Sequence, residues 1–254
     1  MTVITVSPLN RPADGLSRSP LLLMKWHVEA LFTHDAGGRL QTVNEAGGGR
    51  APRFFLGRTS EGCLWRFSAT LPDDVVRALE QVCRDEPPAM SITDDAPLRR
   101  AHYIEILAAD QRIANVWAGP CYAQPISRRL EDLSAIHQCC SIDESNLQLL
   151  SAHLNEWLDV ALGCQPMVVA VSERNAVSVC ASVRRSPTAH EAGVETAAEF
   201  RGRRFGRSAL TSWLANVNGL GIEGIYSTSW TNEASRRLAA AAGLERFGVD
   251  FHVT

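Results

Sequence analysis

One segment near the C-terminus constrains this chain more than any other. Glu191-Ala192-Gly193-Val194-Glu195-Thr196 reads as a strand and leads into Phe200-Arg201-Gly202-Arg203-Arg204-Phe205-Gly206-Arg207, which opens a helix. Ala209, Leu210, Trp213, Leu214 and Val217 recur on one face of that helix, while Arg207, Ser208, Thr211, Ser212 and Asn216 fall largely on the other. The first turn of a helix carries unpaired backbone amides and the positive end of the helix dipole. A glycine-containing loop at that point lets the backbone approach an anion, so this order of elements builds a cradle for a pyrophosphate. Arg201, Arg203, Arg204 and Arg207 add charge for the same anion.

Gly219 and Gly221 end the helix. Ile225 to Trp230 then reads as a short strand, and Thr231 or Asn232 caps a second helix that Gly243 stops. Leu244 to Val253 reads as a last strand. These residues resemble the GNAT superfamily of N-acetyltransferases, in the runs Arg201-x-x-Arg204-x-Gly206 and Asn232-x-x-Ser235-x-x-Leu238-Ala239-x-x-x-Gly243-Leu244. The resemblance implies an α/β (α+β) fold with a mixed, mostly antiparallel sheet flanked by helices. It also implies acetyl-CoA as cosubstrate, held by Val194, Glu195 and Thr196 on the strand, Arg201 through Arg207 in the loop, and Asn232 and Ser235 on the later helix. Two departures stand out. Arg204 occupies the place of the loop's central glycine, which a negative φ and an outward side chain would accommodate. Ala239 occupies the place where many members carry the tyrosine that protonates the leaving thiolate.

Transfer of an acetyl group to an amine needs a polarised carbonyl, a deprotonated amine and a proton for the thiolate. In the family a backbone amide of the strand before the loop polarises the thioester, which here is Ala192 to Thr196. The base candidates are His190, Glu191 and Glu195. Side chains alternate along a strand, so Glu191 and Glu195 share one face and His190 takes the other. His190 titrates in the useful range and is preferred, with Glu191 next and solvent as the alternative. With Ala239 in the usual acid position, Tyr226, Ser229 and Ser235 remain as hydroxyls near the sulfur, and Tyr226 also reads as a packed core tyrosine. Cys180 lies in an apolar strand without a neighbouring base and reads as core.

Elsewhere the sequence bounds rather than specifies. A net charge of -3 gives no field to gather nucleic acid or an anionic membrane. The seven cysteines show no metal-ligand spacing and no paired framework, so no metal is expected. No stretch approaches the length of a membrane span. A soluble, cytoplasmic protein is expected, with a small-molecule or peptide amine as partner and a homodimer as one option.

Residues 1–20, rich in proline and serine, read as a loosely ordered lead, 21–95 as an N-terminal α+β module, and 96–254 as the acetyltransferase domain. The module has four strand candidates, at Val28–Thr33, Arg39–Val43, Arg53–Thr59 and Cys63–Phe67, and a helix from Pro72 to about Arg84. Beyond it, Ala96–Leu107, Arg128–Cys139 and Asn146–Leu162 read as helices. Met167–Val171 and Ala176–Val183 read as a hairpin. The function expected is amine acetylation, with a non-catalytic acyl-CoA-binding or sensor module as the alternative.

Overall fold

Ser19 turns the chain into its first helix: its hydroxyl accepts a hydrogen bond from the Leu22 amide at 3.3 Å, and Pro20 supplies the fixed φ of the first turn. The computed structural model describes residues 18–89, 96–125 and 135–254. Helix α1 (Pro20–Leu31) occupies much of the segment expected to be a strand at Val28–Thr33. Met24, His27, Val28 and Leu31 recur at helical spacing and are all buried, which decides the conformation; the strand begins only at Phe32. The expected lead at residues 1–20 lies almost entirely outside the described residues.

The other elements follow in order: β1 (Phe32–His34), β2 (Leu40–Val43), β3 (Phe54–Thr59), β4 (Gly62–Phe67), α2 (Asp73–Arg84), α3 (Arg100–Asp110), β5 (Val116–Ala123), β6 (Cys139–Ser141), β7 (Met167–Ser172), β8 (Asn175–Arg185), β9 (Ala189–Thr196), α4 (Phe205–Gly219), β10 (Glu223–Ser227), α5 (Glu233–Ala241) and β11 (Glu245–Val253). Glu173 and Arg174 take positive φ values of 49° and 68°, and turn β7 into β8. The helix expected at Arg128–Cys139 lies mostly outside the described residues, and its end at Cys139 is strand β6.

The helix expected at Asn146–Leu162 is instead a chain of 3-10 turns at Leu147–Leu150, Asn155–Trp157 and Ala161–Gly163. Its apolar spacing is satisfied this way because Leu150, Leu154 and Ala161 only have to reach the sheet one turn at a time. Leu154, with φ -137° and ψ 36°, breaks the helical path.

Nine strands form one sheet in the order β4-β3-β11-β5-β10-β9-β8-β7-β6, and β1-β2 make a separate ribbon. Within the large sheet β9 and β10 are parallel and the other pairs antiparallel. This corrects the division expected near residue 95. β3 pairs with β11 from Gly248–Thr59 to Val253–Phe54, so residues 21–95 extend the same sheet rather than forming a module of their own. The physical cause is edge coverage: without β3, the long, largely buried β11 would end the sheet with open backbone groups.

Helices α2 to α5 cover one face of the sheet, and α1 with the 3-10 turns covers the other. Phe54 and Leu56 of β3 pack under α2 and α3, whereas Phe55 between them packs under α1. Trp213, Leu210 and Leu214 of α4 fill the core over β7 to β10. A buried ion pair, Arg58 to Glu86 at 3.2 Å, holds the end of α2 to β3. The same Glu86 accepts from the amides of Leu98 and Arg99 ahead of α3.

Candidate cofactor cleft and active site

The cleft begins where two parallel strands part. β9 and β10 are in register only at Ala189–Glu223, His190–Gly224 and Glu191–Ile225. Beyond that point β9 runs on to Thr196 paired with β8, and β10 runs on to Ser227 paired with β5. The backbone of Ala192 to Thr196 therefore faces the opening on the side away from β8. Val194, Glu195 and Thr196 all lie on this splayed stretch. Ser178 secures it from behind, donating to the Glu195 carbonyl at 2.7 Å and meeting the Thr196 hydroxyl at 2.8 Å.

The loop at the end of β9 leads into α4. Arg201 folds back so that its Nε donates to the Thr196 carbonyl at 3.0 Å. Gly202 and Arg204 both have positive φ, 73° and 68°. Of the two conditions that would accommodate Arg204 in the place of the central glycine, the exposed side chain is present and the negative φ is not: the arginine takes the left-handed conformation that a glycine favours. Arg204 is the N-cap of α4, and no side chain caps the helix. The first-turn amides at Phe205, Gly206 and Arg207 are therefore available to an anion. Arg207 Nε is buried and has no hydrogen-bond partner among the described residues.

The N-terminus of α4 is braced on its flank. Arg203 lies over the rings of Phe200 and Phe205, 5.2 and 5.4 Å from their centroids. His137 stacks on Phe205 at 4.0 Å and contacts the Arg203 carbonyl at 2.9 Å. Ser208 accepts from the amides of Ile136 and His137. Gly206 presses on β9, since a Cβ there would stand 3.0 Å from the Thr196 hydroxyl. At the other end of the cleft, Asn232 caps α5 by accepting from the Ser235 amide at 3.1 Å. Burial pushes the phenol of Tyr226 on β10 up to about 12, with Ser235 opposing the shift. Ala239 is fully buried in the core.

The structure separates the three candidate bases. His190 faces α4; its Nδ1 lies 3.0 Å from Ser182 Oγ, which also accepts from Trp213 Nε1. Burial, with Arg185 second, pushes His190 down to about 4. It borders a hollow with Arg185, Asn216 and Leu220 at the C-terminal end of α4, the end opposite the loop. Glu191 faces α1 and is only 3% exposed. One of its oxygens is hydrogen-bonded to His27 Nδ1, and the other accepts from Ser227 Oγ at 3.1 Å. Glu195 shares that face beside the splay, is partly exposed, and accepts from Trp157 Nε1 at 2.7 Å. Hydrogen bonding to Glu195, together with its charge, raises the carboxyl of exposed Glu156. Cys180 is wholly buried and burial raises its thiol well above the usual range, which suits a core residue.

His27, Cys121, Ser227 and Asp250 gather around Glu191 without having been singled out in the sequence. Their positions are scattered over the whole chain, so no spacing motif connects them. His27 Nε2 lies 3.0 Å from Asp250 Oδ2 and 3.4 Å from Cys121 Sγ, and all three side chains are fully buried. Burial alone would lower His27, but Cys121, Glu191 and Asp250 together hold it well above its ordinary value.

The fold is a mixed, mostly antiparallel sheet flanked by helices, with a parallel pair that parts beside the start of α4, and the chain is similar to several solved GNAT structures. One is a GCN5-related N-acetyltransferase-like protein from Streptococcus suis, at 14% identity over 80% of this chain and 85% of that one, with a TM-score of 0.45. A second is a GNAT-family acetyltransferase from Colwellia psychrerythraea, at 12% identity over 78% and 81%, with a TM-score of 0.46. A tandem GNAT protein from the clavulanic acid biosynthesis pathway is similar over 59% of this chain and 57% of its own length, at 12% identity and a TM-score of 0.41. No protein-family model matches the chain, and no curated protein does. No helix among the described residues is long and apolar enough to cross a membrane.

Proposed function

We propose that this chain binds acetyl-CoA and transfers its acetyl group to a primary amine of a small molecule or peptide. The observation that carries the reading is the parting of β9 from β10 beyond Glu191 and Ile225, with the opening leading to the uncapped, arginine-bearing start of α4. The residues present fit the cosubstrate: first-turn amides and Arg207 for a pyrophosphate, and an open strand edge for an amide-containing arm. Acetyl-CoA supplies the activated acyl group.

The chain's own residues then do the following. Amides of Ala192 to Thr196 that point away from β8 donate to the thioester oxygen and polarise it. The hydroxyl of Tyr226 or of Ser235 offers a proton to the departing thiolate, taking the place of the tyrosine that Ala239 replaces. Glu195 and Glu156, side by side next to Trp157, favour a cationic acceptor and draw it to the open side of β9. The amine attacks the acyl carbon, a C–N bond forms as the C–S bond breaks, and the amine's proton passes to water. Neither His190, neutral at the far end of α4, nor Glu191, with both oxygens engaged, is free to take it. We propose a cytoplasmic location for the reaction, in keeping with an odd number of cysteines that show no paired spacing in the sequence.

That engagement of Glu191 also favours a second reading, a non-catalytic acyl-CoA-binding module. A calorimetric titration with CoA, followed by a thiol-release screen with acetyl-CoA against amino acids, polyamines, aminoglycosides and peptides, tests both. Binding with turnover on a cationic amine supports the enzyme; binding without turnover across the panel supports the module; no binding overturns both.

A further inference from the structure

The buried cluster under α1 is not used by acyl transfer, and its donor atoms conflict if hydrogen bonds are all that hold it. His27 Nε2 can carry one proton, which it would give to Asp250 Oδ2 at 3.0 Å. The Cys121 thiol points at the same nitrogen from 3.4 Å, where no lone pair is then left to accept its S–H. Asp250 Oδ1 is buried and has no hydrogen-bond partner among the described residues. Three side chains that are 0% exposed thus converge on one point and leave a thiol proton without an acceptor and a carboxylate oxygen without a donor among the described residues, an arrangement that costs rather than stabilises.

We propose that His27, Cys121 and Asp250 form a structural zinc site. The donor set is imidazole, thiolate and carboxylate, the combination that suits Zn²⁺ and disfavours Mg²⁺ or Ca²⁺. The three ligand atoms lie within 4.8 Å of one another. Ordinary zinc bond lengths in a tetrahedron separate nitrogen from oxygen by roughly 3.3 Å and nitrogen from sulfur by roughly 3.5 Å. The observed 3.0 and 3.4 Å reach those values with a side-chain shift of a few tenths of an ångström. Glu191 holds His27 by its other nitrogen, Nδ1, which aims Nε2 at the ion in the way outer carboxylates orient metal-bound histidines. Three protein ligands fill three corners of the tetrahedron, and a water molecule would take the fourth, within reach of Asp250 Oδ1 as its hydrogen-bond acceptor. Binding forms Zn–N, Zn–S and Zn–O bonds, and the protons of His27 Nε2 and the Cys121 thiol leave to solvent. The ion would fasten α1 to β5 and β11, joining the N-terminal segment to the sheet at its centre.

The test uses the full chain, stripped with a chelator and reconstituted with Co²⁺ or Zn²⁺. About one Co²⁺ per chain should bind with a thiolate-to-cobalt charge-transfer band. The band should vanish in Cys121→Ser and persist in Cys180→Ser, which removes a buried cysteine outside the cluster. Because Cys121→Ser could fail to fold, the stripped wild-type chain carries a second measurement: Zn²⁺ should raise its thermal midpoint, and Mg²⁺ should not. No stoichiometric uptake, a thiolate band unchanged in a folded Cys121→Ser, or a midpoint indifferent to Zn²⁺ would each overturn the site.

Discussion

Glu191 on β9 and His27 on α1 stand 164 positions apart in sequence and share a buried hydrogen bond. The pairing shows that the N-terminal helix is part of the core around the candidate site, since Glu191 would otherwise face the open side of the sheet. Removing one member of a buried, hydrogen-bonded charge pair leaves the other without compensation. His27→Ala is therefore expected to destabilise the chain by about 3–5 kcal/mol, measured as a shift in the urea midpoint. A change within error would mean that the pair contributes nothing to stability.

The same packing predicts the behaviour of a truncated chain. Residues 96–254 alone lack α1 and β3, which exposes the buried side of Glu191 and Asp250 and opens the edge of β11. This fragment should be insoluble or aggregate on expression. A soluble, cooperatively folding fragment would restore the division near residue 95 that the sequence suggests.

Arg204 makes the loop a place where stability can be gained. A non-glycine residue in the left-handed region costs about 1–2 kcal/mol, and a glycine there loses about 0.5–1 kcal/mol of that gain to its unfolded-state entropy. Arg204→Gly should therefore stabilise the chain by roughly 0.5 kcal/mol or more. A lower thermal midpoint in this variant would show that the guanidinium makes a compensating contact.

In the cleft, Arg207→Glu should weaken CoA binding by roughly tenfold or more while leaving the midpoint of unfolding little changed, because it replaces a charge-assisted donor with a like charge. Unchanged affinity in calorimetry would remove Arg207 from the pyrophosphate site. Gly206 is a poorer probe, since a side chain there meets Thr196 before it meets any ligand. Asn232→Ala should lower stability by about 1 kcal/mol through loss of the α5 cap. A rise in the Michaelis constant for acetyl-CoA with no loss of stability would instead assign Asn232 to the cosubstrate.

His190 supplies a pH dependence whose sign follows from its burial. Its folded value near 4 lies below the ordinary 6.5, so the unfolded chain takes up the proton first as pH falls. The stability it contributes is present in full above about 6.5 and is lost as pH falls from there towards 4. Urea midpoints at pH 7 and pH 5 should therefore differ less in His190→Gln than in the wild-type chain. Equal differences would mean that His190 does not titrate in this window.

The sequence by itself determined the elements whose signals are local. The β7–β8 hairpin follows from its turn residues, α4 from the repeat of Ala209, Leu210, Trp213, Leu214 and Val217, and the α5 cap from Asn232. The order of strand, arginine-glycine loop and helix was legible for the same reason, since a helix start and its preceding strand are set by neighbours in the chain. Tertiary structure decided the rest. Residues 28–31 became helix because their buried face meets the sheet, and 146–162 became 3-10 turns because Leu150, Leu154 and Ala161 each pack separately onto β7 and β8. Only the pairing of β3 with β11 made the N-terminal residues part of one sheet. The convergence of His27, Cys121, Glu191 and Asp250 likewise depends on one helix and three strands meeting at the sheet's centre, and residues brought together by long-range packing leave no periodic trace in the chain that encodes them.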